Sequence, residues 1–268
     1  MSSQLNDWGL LYGFSLYETI WIHNGAPCWL DRHIGRLRKS ARALDFNGVP
    51  DEASLASAVF RHAEACGHRE RVVRLTATGG NPDRGIPPQV FVTDRAMPYS
   101  EDDYANGFDV TIHDQPRSEQ SPLVRHKTGN QMENILAWRS ARRRGFHEAV
   151  FLNTRGFVAE GTRSNIFVVS KTRVVTPPVD AGILPGLARE RTLVALRELG
   201  LNTGEQNIAL SELRSCDECF LTNSIMNAMP VRRIGDATLA INVAPAVRAR
   251  LIEEAERTHG NGMRGAAC

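Results

Sequence analysis

The chain has 268 residues, 42% hydrophobic and 23% charged, enough to bury a substantial core in one large or two medium domains. Its net charge of +2, with arginines interspersed among Asp and Glu, argues against a nucleic-acid-binding face, and no apolar run approaches the ~20 residues of a membrane span. The opening residues MSSQLNDWG lack the charged and apolar regions of a signal peptide, so a cytoplasmic protein with free thiols on its five cysteines is expected.

In chain order, SLYETIWIHN (15–24) is rich in β-branched and aromatic residues, and Asn24-Gly25 leads to APCWL, which predicts a hairpin. DRHIGRLRKSARALDF (31–46) places Ile34, Leu37, Ala41 and Leu44 at helical spacing, with Asp31 as its cap, and DEASLASAVFRHAEACGH (51–68) is a second amphipathic helix. RVVRLTATGG (71–80), QVFVTDRA (89–96) and GFDVTIHD (107–114) read as strands. QPRSEQSPLVRH (115–126) is polar and carries prolines, which predicts a small domain over 1–115, a linker over 116–126 and a larger domain over 127–268. Beyond it come a helix from Gln131 that ends in the basic run before Gly145, strands at 148–153, FVAEG, NIFVVS and RVVTPP, and a helix over 187–200. A strand pair follows within 211–236, then a helix over 243–259 and a disordered end, GNGMRGAAC. No uninterrupted βαβ alternation or GxGxxG is visible, which argues against a dinucleotide fold. Metal binding is not expected. Cys216 and Cys219 form a CxxC without a second pair, and His62, Cys66 and His68 lie far from it in sequence.

Only three lysines accompany twenty-nine arginines. An enzyme that binds an aldehyde cofactor needs a primary amine, which arginine cannot replace. Lys39 falls in a charged helix and Lys171 in a turn between strands. Lys127, in RHKTGNQMEN, precedes a helix, where a lysine alone would be a solvated side chain; thirty-three residues later Glu160 opens EGTRSNIF. A pyridoxal phosphate enzyme needs an amine, a carboxylate for the pyridine nitrogen and a phosphate cradle. Lys127, Glu160 and the loop LPGLARE (184–190) can supply them, the loop through the N–H groups of Leu187 and Ala188 at a helix start. An ordinary helix start with Pro185 in the first turn is the alternative reading of that loop.

DWGLLYGFSLYETI (7–20), DRHIGRLRKSA (31–41), HKTGN (126–130), EGTRSNIF (160–167), TPPVDAGILPGLAR (176–189) and FLTNSIMNAMPV (220–231) resemble, in order, the motifs of the class IV aminotransferases, the fold-type IV pyridoxal phosphate enzymes. The resemblance implies a two-domain mixed α/β fold with pyridoxal 5'-phosphate in the cleft between domains, a small-molecule amine substrate and a homodimer. It makes Lys127 the Schiff-base lysine and Glu160 the partner of the pyridine nitrogen. Arg36 becomes a phosphate ligand, together with the N–H groups of Leu187 and Ala188 and the Ser224 hydroxyl. Asn165 and Arg163 either touch the cofactor region or build a turn.

Met132 and Thr19 stand where branched-chain aminotransferases usually carry tyrosine and glycine. TNSIMNAMPV and Thr19 are similar to the aminodeoxychorismate lyases, although Ala188 replaces a threonine that many members use. Trp8 replaces an arginine, and the segment ahead of Asp7 is shorter than usual, so the edge of the small domain is expected to be shortened or differently organised. The resemblance thus implies conversion of 4-amino-4-deoxychorismate to 4-aminobenzoate and pyruvate for folate synthesis. Lys127 would move the proton, Thr19 would relay a proton or hold a water, and Arg84 would pair with a substrate carboxylate or remain a solvated loop residue. The alternative is transamination of branched-chain or D-amino acids or of amines.

Overall fold

Alternation along the first strand sets the plan of the N-terminal part. Leu16, Ile20 and Ile22 point to one side of β1 (Ser15–His23) and are all but fully buried, whereas Tyr17, Thr19 and Trp21 take the other side. A computed structural model describes residues 4–262, which divide into two compact units: 4–98 with 126–131 and 254–262, and 99–125 with 132–253. The division differs from the expected linker at 116–126. Residues 108–112 pair within the larger sheet of the second unit, and backbone pairing outweighs the polar composition of the stretch that follows them.

In the first unit, α1 (Trp8–Tyr12) precedes β1, and Asn24-Gly25 turns the chain into β2 (Ala26–Pro27) as expected. Next come α2 (Leu30–Ala43), α3 (Glu52–Cys66), β3 (Arg71–Thr78) and β4 (Val90–Arg95). The sheet order is β2-β1-β3-β4 and every pairing is antiparallel. Leu16, Ile20, Val73 and Leu75 of its inner face pack with Ile34 and Leu37 of α2 and Leu55 and Val59 of α3. Asp51 caps α3 by accepting from the Ser54 N–H. Asp31, the expected cap of α2, instead lies inside its first turn; Trp29, in the left-handed region at φ 51°, is the flanking residue and no side chain caps the helix.

The second unit contains α4 (Glu101–Asn106), β5 (Phe108–Ile112), α5 (Met132–Arg143), β6 (Glu148–Leu152), β7 (Val158–Gly161), β8 (Asn165–Ser170) and β9 (Arg173–Thr176). It continues with α6 (Leu187–Glu198), β10 (Asn202–Glu205), α7 (Leu210–Arg214), β11 (Glu218–Asn223), β12 (Asn227–Ile234), β13 (Ala237–Thr238) and α8 (Val243–Gly262), whose last residues belong to the first unit. The sheet runs β10-β9-β8-β11-β12-β5-β6-β7, with β13 on β12. β5 and β6 are parallel neighbours on either side of α5, and β9 and β10 on either side of α6. Two helical crossovers therefore exist where the sequence showed no uninterrupted alternation, and β10, NTGE, has no apolar pattern to announce the second. Along β8 the first five residues are all buried, as in a strand covered on both faces, and Phe167 stacks on its cross-strand partner Phe220 at 5.0 Å. α8 continues to Gly262, into the run expected to be disordered; 263–268 lie outside the described residues.

Leu75, fully buried between the small sheet and its helices, should be a sensitive reporter of this packing. Leu75→Ala is expected to lower unfolding free energy by about 2–5 kcal/mol in urea titration. A loss under ~1 kcal/mol would contradict the packing described.

Candidate active site

The lysine segment is fastened to β1 through the main chain. The Tyr17 N–H donates to the Lys127 carbonyl at 2.9 Å, the Gly129 N–H donates to the Ser15 carbonyl at 2.7 Å, and Leu16 and Thr128 form an antiparallel bridge. β2 pairs with β1 only at Ile22 and His23, which leaves the start of β1 open to this added segment. The close approach requires glycine at 129, since a Cβ there would overlap the Ser15 hydroxyl. Half-buried, Lys127 rests its Nζ 4.6 Å from the Tyr17 ring centroid, and the Arg74 guanidinium covers the same ring at 3.6 Å. Thr19 follows Tyr17 by two residues on the same sheet face and pairs with Arg74 across β1 and β3. Lys39 and Lys171 are exposed, the latter at φ 55° in the β8–β9 turn.

Behind that face, on the core side of β1, lies a charged cluster. Glu18 has no exposure; its carboxylate accepts from Arg36 Nε at 2.8 Å and Nη2 at 2.6 Å and contacts His33 Nδ1 at 2.7 Å. Burial pushes the Glu18 carboxyl upward, but Arg36 and His33 together hold it down at about 2. Burial keeps His33 below its ordinary value, so it pairs as a neutral Nδ1–H donor. The HxxR spacing of α2 puts His33 and Arg36 on one helical face, and Glu18 fixes the guanidinium of the expected phosphate ligand. Arg84, by contrast, is exposed on the loop closed by Asn81 and Ile86.

In the second unit Glu160 sits on β7, 7% exposed. Its Oε1 accepts from Arg117 Nη1 at 2.8 Å; its Oε2 accepts from Asn165 Nδ2 at 3.1 Å and from the Leu184 N–H at 2.9 Å. Arg117, which the sequence reading placed in a linker, is 4% exposed, lies 3.9 Å above the Phe151 ring and donates to Asn134 Oδ1 at 2.9 Å. Asn165 also donates to the Leu184 carbonyl and touches Gly186, where a Cβ would overlap Asn165 Oδ1. That glycine begins α6, whose first turn contains Leu187 and Ala188, both buried, and no side chain caps it. Arg163 stacks over Trp138 at 4.3 Å. Opposite Asn165 on β11 is Thr222, with a buried hydroxyl that has no hydrogen-bond partner; Ser224, two residues on, is half-buried in the β11–β12 turn.

A fixed carboxylate, an uncapped helix start approached through a glycine, and an orphaned buried hydroxyl beside them suit a heteroaromatic phosphate. The chain belongs to the amino-transferase class IV family, whose model matches residues 15–234. It is 31% identical over 235 residues to a Methanocaldococcus jannaschii protein provisionally named a branched-chain-amino-acid aminotransferase, covering 85% of this chain and 81% of that one. D-alanine aminotransferase of Bacillus licheniformis is 30% identical over 268 residues, covering 95% and 93%. The crystal structure of 4-amino-4-deoxychorismate lyase from Pseudomonas aeruginosa superposes with a TM-score of 0.83 at 26% identity, covering 93% and 94%. The protein is therefore a pyridoxal phosphate enzyme of fold type IV.

The sequence motifs contained the lysine, the glutamate and the helix start, but left Tyr17, Glu18, His33, Arg117, Asn134 and Thr222 without roles. Glu18 and His33 were within quoted motifs, and their polar side chains on apolar faces were the available signal. Because the folded value of Glu18, about 2, is below its ordinary 4.5, the ion pair contributes fully above pH 4.5 and its contribution is lost as pH falls toward 2. Glu18→Gln should lower the urea midpoint at pH 7 and flatten its pH dependence between those values. Equal slopes for both proteins would remove Glu18 from the acid limb.

Proposed function

We propose that this enzyme is an aminodeoxychorismate lyase, converting 4-amino-4-deoxychorismate to 4-aminobenzoate and pyruvate for folate synthesis in the cytoplasm. The observation that carries this reading is the β1 face on which the Lys127 amine touches Tyr17 and Thr19 follows two residues along. When bound, pyridoxal phosphate supplies an electron sink for the pair left as a proton departs. Lys127 holds the cofactor and then takes the proton from the substrate carbon bearing nitrogen. Glu160, set by Arg117, Asn165 and the Leu184 N–H, would hold the proton on the pyridine nitrogen. Arg36, the N–H groups of Leu187 and Ala188, and the Ser224 hydroxyl would hold the phosphate. Thr19 passes the proton toward the departing enolpyruvate, which leaves as pyruvate while the ring becomes aromatic, and Arg84 pairs with a substrate carboxylate. The exposed apolar side chains of Leu10, Leu11 and Tyr12 on α1 support assembly as a homodimer.

Transamination is the second reading, favoured by relatives at 30% and 31% identity that bear aminotransferase names. It uses the same cofactor residues and differs in requiring a keto acid to complete each cycle.

Borohydride reduction should attach the cofactor to the peptide containing Lys127, and Lys127→Ala should fold yet lose that label; label on Lys39 or Lys171 would overturn the assignment. Glu160→Gln should retain cofactor and lose ~10²–10³-fold in turnover, the scale of a removed electrostatic partner; near-normal rates would give Glu160 another role. Aminodeoxychorismate should yield 4-aminobenzoate and pyruvate over many turnovers with no keto acid added, and Thr19→Val should slow this by ~10²-fold or more. Rapid conversion of the bound cofactor to its pyridoxamine form by an amino acid, without 4-aminobenzoate, would replace the lyase by the aminotransferase.

A further inference from the structure

On the helix-covered side of the small sheet, away from every residue assigned above, three side chains of different donor chemistry converge. His62 and Cys66 are one helical turn apart on α3, and Asp94 stands on the edge strand β4 opposite Val73, directed to the same side. One ligand atom from each, an imidazole nitrogen, a thiol sulfur and a carboxylate oxygen, all lie within 4.8 Å of one another, and all three residues are half-buried. His62 Nε2 is 3.0 Å from Asp94 Oδ1. The other carboxylate oxygen, Oδ2, is gripped by the Arg71 guanidinium, with Nε at 2.8 Å.

We propose that His62, Cys66 and Asp94 form a binding site for a divalent cation of the zinc type. Nitrogen, sulfur and oxygen donors together suit a borderline-soft cation and not magnesium or calcium, which favour oxygen alone. Zinc bonds of about 2.0–2.3 Å imply ligand separations of roughly 3.3–3.8 Å in a tetrahedron, and the three ligand atoms already lie within 4.8 Å of one another, with the fourth position left to water. Binding exchanges the thiol proton of Cys66 for a sulfur–metal bond, and the proton leaves to solvent. Thiolate and carboxylate neutralise the dication, so Arg71 faces no net positive centre. It keeps its grip on Oδ2 and orients the carboxylate as an outer partner. His68, grouped with His62 and Cys66 on sequence, is not in the cluster; Asp94, from a different element, takes its place. The cation would join α3 to the edge strand that closes this sheet.

Chelator-treated holoenzyme titrated with zinc by calorimetry should bind one equivalent that magnesium does not compete for. His62→Gln, Cys66→Ser and Asp94→Asn should each weaken binding at least tenfold, with the metal-free melting temperature little changed. In the unmodified protein, zinc should slow alkylation of Cys66, followed by peptide mapping, in a way that magnesium does not; this arm needs no variant to fold. Undiminished binding in the three variants, or no zinc binding with Cys66 alkylated at the same rate throughout, would overturn the site.

Discussion

A carboxylate without solvent exposure is tolerated only where donors replace its water, and the first unit is arranged around that demand at Glu18. β1 turns the side chain toward the core, and α2 answers with Arg36 and His33 from one face. The consequence reaches past stability. The guanidinium that Glu18 immobilises belongs to the residue proposed for the phosphate, and Tyr17, on the strand's opposite face, is the residue over which the lysine amine lies. One strand thus fixes the Arg36 guanidinium with one side and supports the Lys127 amine with the other.

Glu160 is treated in a parallel way in the second unit, with different means. Its donors come from a loop arginine, a strand asparagine and a backbone N–H, each itself fastened: Arg117 by Phe151 and Asn134, Asn165 by the Leu184 carbonyl. Preorganisation of this type lets a carboxylate meet a developing charge without rearranging. Gly186 completes the arrangement by letting Asn165 approach the start of α6 closely.

Local signals reveal what is decided locally. The Asn24-Gly25 turn, the apolar spacing of α2 and α3, and the buried run of β8 were legible because propensity and packing agree there. The domain division was not, since membership of 108–112 is decided by pairing with β6 and β12. A polar sequence such as QPRSEQ looks like linker although its arginine is among the most buried in the chain. β10 and the cap of α2 failed for related reasons: one strand has no apolar pattern, and one helix begins at an aromatic residue in a left-handed conformation. Among the candidate site residues, chemistry singled out the lysine and glutamate, but the groups that hold them come from distant elements, which a linear reading cannot pair.

The attachment of residues 126–131 to β1 also bears on how the molecule is made. Lys127 is functionally a residue of the first sheet, yet more than a hundred positions separate it from its strand partners Ser15, Leu16 and Tyr17. During synthesis the first hundred residues can form their hairpins and helices, but the start of β1 lacks its added neighbour until that later segment emerges, and α8 completes the unit later still. Contacts of such long sequence separation are slow to close. Organisation of the Lys127 segment is thereby deferred until synthesis has passed residue 131, and a shorter nascent polypeptide lacks this added neighbour of β1.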